Sequence, residues 1–200
     1  MTGLKPIDLA IERIRDKISE MSGLIEQIIN EMSKGFYRVE DISDQVNKVR
    51  LLRTEIHSLV TEAIARYQPA ASDLRYLLAS LEISYGLFRF SRYALDIAYM
   101  IKRFREDTKM TCEFTMSREI LPHVLEMMKE SIASFIEKDS KKANRVISLD
   151  SHVDKMFSET VGRAFSTGER CALLDLVISI YLERIADHSV YIASETLFMI

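Results

Sequence analysis

The chain has 200 residues, a formal charge of −3, and 48% hydrophobic residues with six glycines, three prolines and no tryptophan. That length buries a sizeable core in one domain or two small ones, and so few turn-forming residues favour long helices. The acidic balance argues against nucleic acid as the main partner, because phosphate binding needs a basic surface.

The first segment carries a seam of Ile7, Ile11, Ile14, Ile18, Met21, Ile25, Ile28 and Met32. Its steps alternate four and three, the spacing of helices packed nearly side by side. Gly35 is the expected stop. A second helix is predicted from about Val39 to Tyr67, with Ile42, Val46, Val49, Ile56 and Val60 inward. Gln68-Pro69 interrupts it, and Ser72 or Asp73 is the expected cap of a third helix reaching about Phe104.

The pattern then repeats. Leu121, Leu125, Met128, Ile132 and Phe135 form a fourth seam, a turn near Asp139-Ser140 opens a fifth helix to about Phe165, and Thr167-Gly168 separates a sixth that runs to the end. Alternation of period two is missing over any useful length. The fold class is therefore all-α. Two successive sets of three helices predict two pseudo-repeated three-helix bundles of long antiparallel helices, over 1–107 and 108–200. Shifting the chain by 95 residues aligns Ile83–Ala98 with Ile178–Ala193, with six of sixteen positions identical.

Two carboxylate couplets mark the second set. Asp150 and Asp154, and likewise Glu183 and Asp187, are four apart and share one face of a helix. The first couplet is read on the stripe of Ile147, Phe157 and Val161, the second on that of Leu176, Ile180 and Val190, so all four acids are expected to point inward. Inward carboxylates repel one another and lose hydration unless a cation or strong hydrogen bonds compensate. Oxygen ligands from two adjacent helices can converge on a divalent or iron-type ion, and a carboxylate-rich set suits Mg²⁺, Mn²⁺, Ca²⁺ or iron more than Zn²⁺. Two other readings stand beside this one: a solvated acidic face, and a network neutralised by Arg184. His123 and His188 are further candidate ligands, while His152 points sideways from the aspartates between which it lies. At the positions aligned with Glu183 and Asp187 the first half has Phe88 and Arg92, so no equivalent metal site is expected there.

Catalysis is not expected. No Glu-x-x-His pair, Gly-rich phosphate loop, H-E-x-x-H or G-x-S-x-G occurs. Cys112 and Cys171 sit outside any metal-type spacing and are compatible with one disulfide without requiring it. The N-terminus has no apolar signal-type run, which favours a reducing cytoplasm. The longest apolar stretch, Cys171 to Leu182, is interrupted by Asp175 and is too short for a membrane helix, so no membrane insertion is expected.

Three segments carry a family resemblance. Tyr181-Leu-Glu-Arg-Ile-Ala-Asp-His188 resembles the (L/I)-E-R-I-G-D stretch of the PhoU family, with Ala186 for the usual Gly. Asp150-Ser-His-Val-Asp154 resembles its partner (D/E)-x-x-x-D motif, and Gln68-Pro69-Ala-Ala-Ser-Asp-Leu-Arg75 resembles its QP-x-x-x-DLR connection. The resemblance implies two similar three-helix bundles whose acidic motifs can hold metal clusters. It implies negative regulation of phosphate uptake through a phosphate-import ABC transporter, a phosphate-sensing kinase, or both. A homodimer, located in the cytoplasm or peripherally at the membrane through a transporter partner, is the expected form. The family's second-helix acids would fall near Val46 and Arg50, and neither is acidic. The rival reading is a metal-independent helical scaffold or adaptor.

Overall fold

A computed structural model describes residues 5–34 and 38–200. Six helices follow one another: α1 (Pro6–Ser33), α2 (Val39–Tyr67), α3 (Ala71–Thr108), α4 (Met116–Glu137), α5 (Ser140–Thr167) and α6 (Arg170–Met199). No strand occurs among the described residues. The first three helices pack on one another, the last three do the same, and the long α3 joins the sets by lying along α6.

The first seam behaves as its spacing dictates. Ile14, Ile18, Met21, Ile25, Ile28 and Met32 are buried, while Ile7 and Ile11 are half-buried at the open end. Each large aliphatic side chain so buried contributes about 1.5–3 kcal/mol relative to an exposed one. Pro6 opens α1, where its fixed φ and missing N–H do no harm. Gly35, the expected stop, lies outside the described residues; α1 ends at Ser33 with Lys34 as its C-cap.

Other boundaries follow from local backbone chemistry. Gln68 ends α2 in the left-handed conformation at φ 47°, and Pro69 then blocks continuation. Gly168 does the same for α5 at φ 62°, where a residue without a Cβ has no steric penalty. Asp139 caps α5, its carboxylate accepting the backbone N–H groups of Lys141 at 2.8 Å and Lys142 at 3.3 Å. The cap of α3 differs from expectation. Its N-cap is Ala70, whose side chain cannot accept a hydrogen bond, and Ser72 and Asp73 stand within its first turn.

Between α3 and α4 the connector is held by α6 in two ways. Cys112 is joined to Cys171 by a disulfide, with Cα atoms 5.4 Å apart. One helical turn beyond Cys171, the carboxylate of Asp175 is 2% exposed and accepts three backbone N–H groups, from Thr115 at 3.0 Å, Met116 at 2.9 Å and Ser117 at 3.0 Å. Those are the orphan donors at the start of α4, capped here by a residue from another helix. The charge that breaks the apolar run of α6 is therefore a buried clamp.

At Gly86, α3 packs tightly on α6. A Cβ there would stand 2.7 Å from Cγ1 and 2.9 Å from Cδ1 of the buried Ile192. A glycine in mid-helix costs about 1 kcal/mol against alanine, and the packing of the two helix sets offsets it.

Candidate functional site

The acid couplets come together, but on the rim of the second helix set and not in its interior. The buried seam of α5 is Ala143, Val146, Val153, Thr160 and Ala164, and that of α6 runs through Leu182, Ile185, Ala186 and Ser189. At about 100° per residue, Asp150 and Asp154 stand about 60° and 100° from Val153 around the helix. Asp150 and Glu183 are half-buried, whereas Asp154 and Asp187 are exposed. Ile147 and Ile180, read as part of the inward stripes, are themselves exposed. The expectation that these acids point into the core is corrected accordingly: the seam that meets neighbouring helices is displaced from the acid stripe.

The four carboxylates nevertheless feel one another. Burial raises the pKa of Asp150, and the charges of Asp154 and Asp187 raise it further. Glu183 is raised by burial and then by Asp187, with Arg184 partly offsetting and Asp154 and Asp150 adding smaller shifts. Asp187 is raised by burial, Arg184 opposes, and Asp154 adds to it. The set is an electronegative rim across α5 and α6 whose charge is incompletely compensated. Arg184 supplies the compensation, with Nε 3.5 Å from Glu183 and Nη1 3.4 Å from Asp187.

The donor chemistry of this rim, hard carboxylate oxygen from two helices, fits a hard cation. The side-chain placement is looser: among the described residues no three His, Cys, Asp or Glu side chains gather closely enough to hold a metal ion. Glu183 and Asp187 would have to leave Arg184 to do so.

The histidines lie elsewhere. His188 turns toward α3, its ring 5.7 Å from Tyr85, 5.8 Å from Tyr93 and 6.2 Å from Tyr191. Burial, with Arg89 and Arg184 adding, lowers its pKa to about 4, and its Nδ1 is buried without a partner. His123 faces His152 across α4 and α5 at 4.8 Å between ring centroids.

In the first helix set the corresponding face is filled differently. Phe88, aligned with Glu183, lies beneath the guanidinium of Arg53, which is 5.2 Å from its ring and 5.1 Å from that of Tyr85. A covalently attached cation on an aromatic bed stands where the second set has carboxylates. Arg92, aligned with Asp187, pairs with Asp96 at 3.1 Å. Val46 is core at 4% exposure and Arg50 is exposed, so neither position carries a ligand.

Two features escaped the sequence reading. Asp175 had a signal, as the sole charge between Ala172 and Leu182. The hydrogen bond from Tyr191 to Glu82 at 2.5 Å, tying α6 to α3, had none, because it links residues 109 apart.

Comparison with known proteins agrees with this architecture. The PhoU domain model matches twice, over residues 18–101 and 118–196. The phosphate-specific transport system accessory protein PhoU homolog of Pseudomonas aeruginosa is 26% identical, with 95% of this chain and 83% of that protein covered. Its namesake from Archaeoglobus fulgidus is 27% identical over 98% of this chain and 95% of its own length. Among solved structures, PhoU from Pseudomonas aeruginosa superposes with a TM-score of 0.74 at 24% identity, covering 96% of this chain and 97% of its own. The phosphate transport system regulatory protein PhoU from Streptococcus pneumoniae superposes at 0.78 with 17% identity and 96% of each chain. With a family model matching both helix sets, the chain belongs to the PhoU family.

Proposed function

We propose that this chain is an accessory regulator of phosphate transport that restrains phosphate uptake or its signalling by binding partner proteins, not by turnover. The observation that carries the reading is the double match to the PhoU domain, together with relatives named as accessory proteins of phosphate-specific transport. Partners of the class expected from the family are a phosphate-import ABC transporter and a phosphate-sensing kinase, with a second copy of the chain as a further contact. Among the described residues no helix is long and apolar enough to cross a membrane, so contact with a transporter would be peripheral.

The rim of Asp150, Asp154, Glu183 and Asp187 is where such a regulator would take up a cation. A divalent or iron-type ion bound there would offset the burial and mutual repulsion that raise the pKa of three of these acids and would tie α5 to α6. Arg184 would be displaced from Glu183 and Asp187, changing the charge of the exposed flank offered to a partner. Elemental analysis of purified protein against the Asp154→Ala/Glu183→Ala double variant tests the site. Metal in the parent and its loss in the variant are expected; equal content in both would remove the site. Phosphate uptake in cells lacking the chain, complemented with either form, tests the regulatory role independently: unchanged uptake on deletion would overturn it.

The metal-independent adaptor is favoured by one observation, the Arg184 ion pairs that already offset part of the acidic charge. It predicts no metal-dependent rise in melting temperature, whereas ligation would stabilise the fold by mass action.

A further inference from the structure

A cavity of about 570 Å³, lined by none of the rim acids, lies where α1, the start of α3, the α4–α5 turn and the end of α6 meet. Three cations line it, each from a different element: Arg15 of α1, Arg75 of α3 and Lys138 at the end of α4. Arg15 and Lys138 both approach the ring of Tyr76, with Cζ 5.9 Å and Nζ 5.7 Å from its centroid. None of the three has an ion pair within 4.0 Å among the described residues. Like charges brought to one aromatic ring repel, and a counter-anion between them removes that cost.

One further feature favours an anion. The 38-residue α3 begins at this cavity, and its N-cap, Ala70, supplies no side-chain acceptor for the free N–H groups of the first turn. A helix N-terminus of this kind attracts negative charge through its dipole and its orphan donors. Tyr76 contributes its ring to the lining, while its hydroxyl is buried away from the open space.

Three carboxylates share the lining, and they set the limit on affinity. Asp8 is engaged at the start of α1, accepting the backbone N–H of Lys5 at 3.0 Å. Asp73 is two residues from Arg75 on the same helix, a spacing at which side chains do not face each other. Glu12 is exposed.

We propose that this cavity binds a phosphate-type oxyanion, held by Arg15, Arg75, Lys138 and the N-terminal amides of α3. The same chemistry is presented by free inorganic phosphate and by the phosphate group of a nucleotide. The QP-x-x-x-DLR segment, which the acidic rim leaves without a role, thereby gains one, since its Asp73 and Arg75 stand at the mouth of this cavity.

Titration calorimetry on the full chain, stripped of metal with EDTA and at fixed ionic strength, tests this with inorganic phosphate in one arm and AMP in the other. Saturable binding in at least one arm is expected; saturation by phosphate identifies the free ion, and saturation by AMP alone identifies the nucleotide. Arg75→Gln/Lys138→Gln should weaken binding at least 10-fold. Asp73→Asn, which removes a competing charge and leaves the helix intact, should tighten it. The Asp154→Ala/Glu183→Ala variant should bind as the parent does, which separates this site from the acidic rim. No saturable binding in either arm would overturn the proposal. So would equal affinity in the parent and the Arg75/Lys138 variant, or an Asp73→Asn variant that does not bind more tightly.

Discussion

Replacing Asp175 should loosen the attachment of the start of α4 to α6. Its carboxylate accepts three N–H groups at 2.9–3.0 Å and is 2% exposed. Hydrogen bonds to a charged acceptor contribute about 1.5–3 kcal/mol each, though not additively. In an Asp175→Ala variant the exposed Thr115 N–H regains water, while those of Met116 and Ser117, both 5% exposed, are stranded. Two stranded donors, the loss of a helix cap and a small void together predict a loss of about 3–5 kcal/mol. Asp175→Asn keeps one acceptor oxygen and turns an amide donor toward the remaining N–H, so its loss should be about 1.5–3 kcal/mol. For a chain of this size each kcal/mol moves Tm by about 2–4 °C, placing the alanine variant on the order of 10 °C below the parent. Urea unfolding measures the free energy, and amide exchange locates it, with Met116 and Ser117 accelerating ahead of the α1 seam. A loss under about 1 kcal/mol in the alanine variant, or exchange that quickens uniformly along the chain, would refute the clamp.

Gly86→Ala places a methyl group 2.7 Å from Ile192, so stability should fall by about 1–3 kcal/mol, and Ile192→Val in the same chain should recover part of it in thermal melts. Reduction of Cys112–Cys171, or the Cys112→Ser variant, reopens a loop spanning 59 residues and should cost about 4 kcal/mol in the chain-entropy account, read as the difference between melts with and without a dithiol. The pH dependence has two opposed parts. His188 has a lowered folded pKa of about 4, so the unfolded chain binds its proton first and stability falls as pH drops from about 6.5 toward 4. Asp150, Glu183 and Asp187 have raised folded pKa values, so their contribution is present at low pH and is lost as pH rises through those values. A His188→Phe variant of metal-free protein should therefore gain stability on acidification below neutrality where the parent gains less, and parallel pH profiles would count against the His188 assignment.

Much of the architecture was legible because it is local. The seam from Ile14 to Met32 can only be apolar on one side if the segment is a helix, and Gln68-Pro69 and Thr167-Gly168 stop helices through their own backbone chemistry. The cap of α3 was misread for the same local reason. Ser72 and Asp73 are good cap residues, but the preceding Pro69-Ala70 already leads into the helix, so they fall inside it. The four-acid set was legible as residues, since i,i+4 couplets on consecutive antiparallel helices bring four side chains to one flank. Its depth was not. Whether Asp150 faces core or rim depends on which stripe of α5 meets α4 and α6, and Val153, not Ile147, anchors that stripe.

The amino-acid order determined six helices, their approximate ends, the internal repeat and the residues of the acidic flank, because hydrophobic period, capping and helix-breaking act within a few residues of one another. Tertiary structure alone decided that Asp175 caps a helix some 60 residues away, that Arg53 covers Phe88, that His188 faces tyrosines and not carboxylates, and that Arg15, Arg75 and Lys138 share a cavity. Each of those depends on how neighbouring helices pass one another, a rotation and offset set by the summed packing of many side chains and encoded by no single segment.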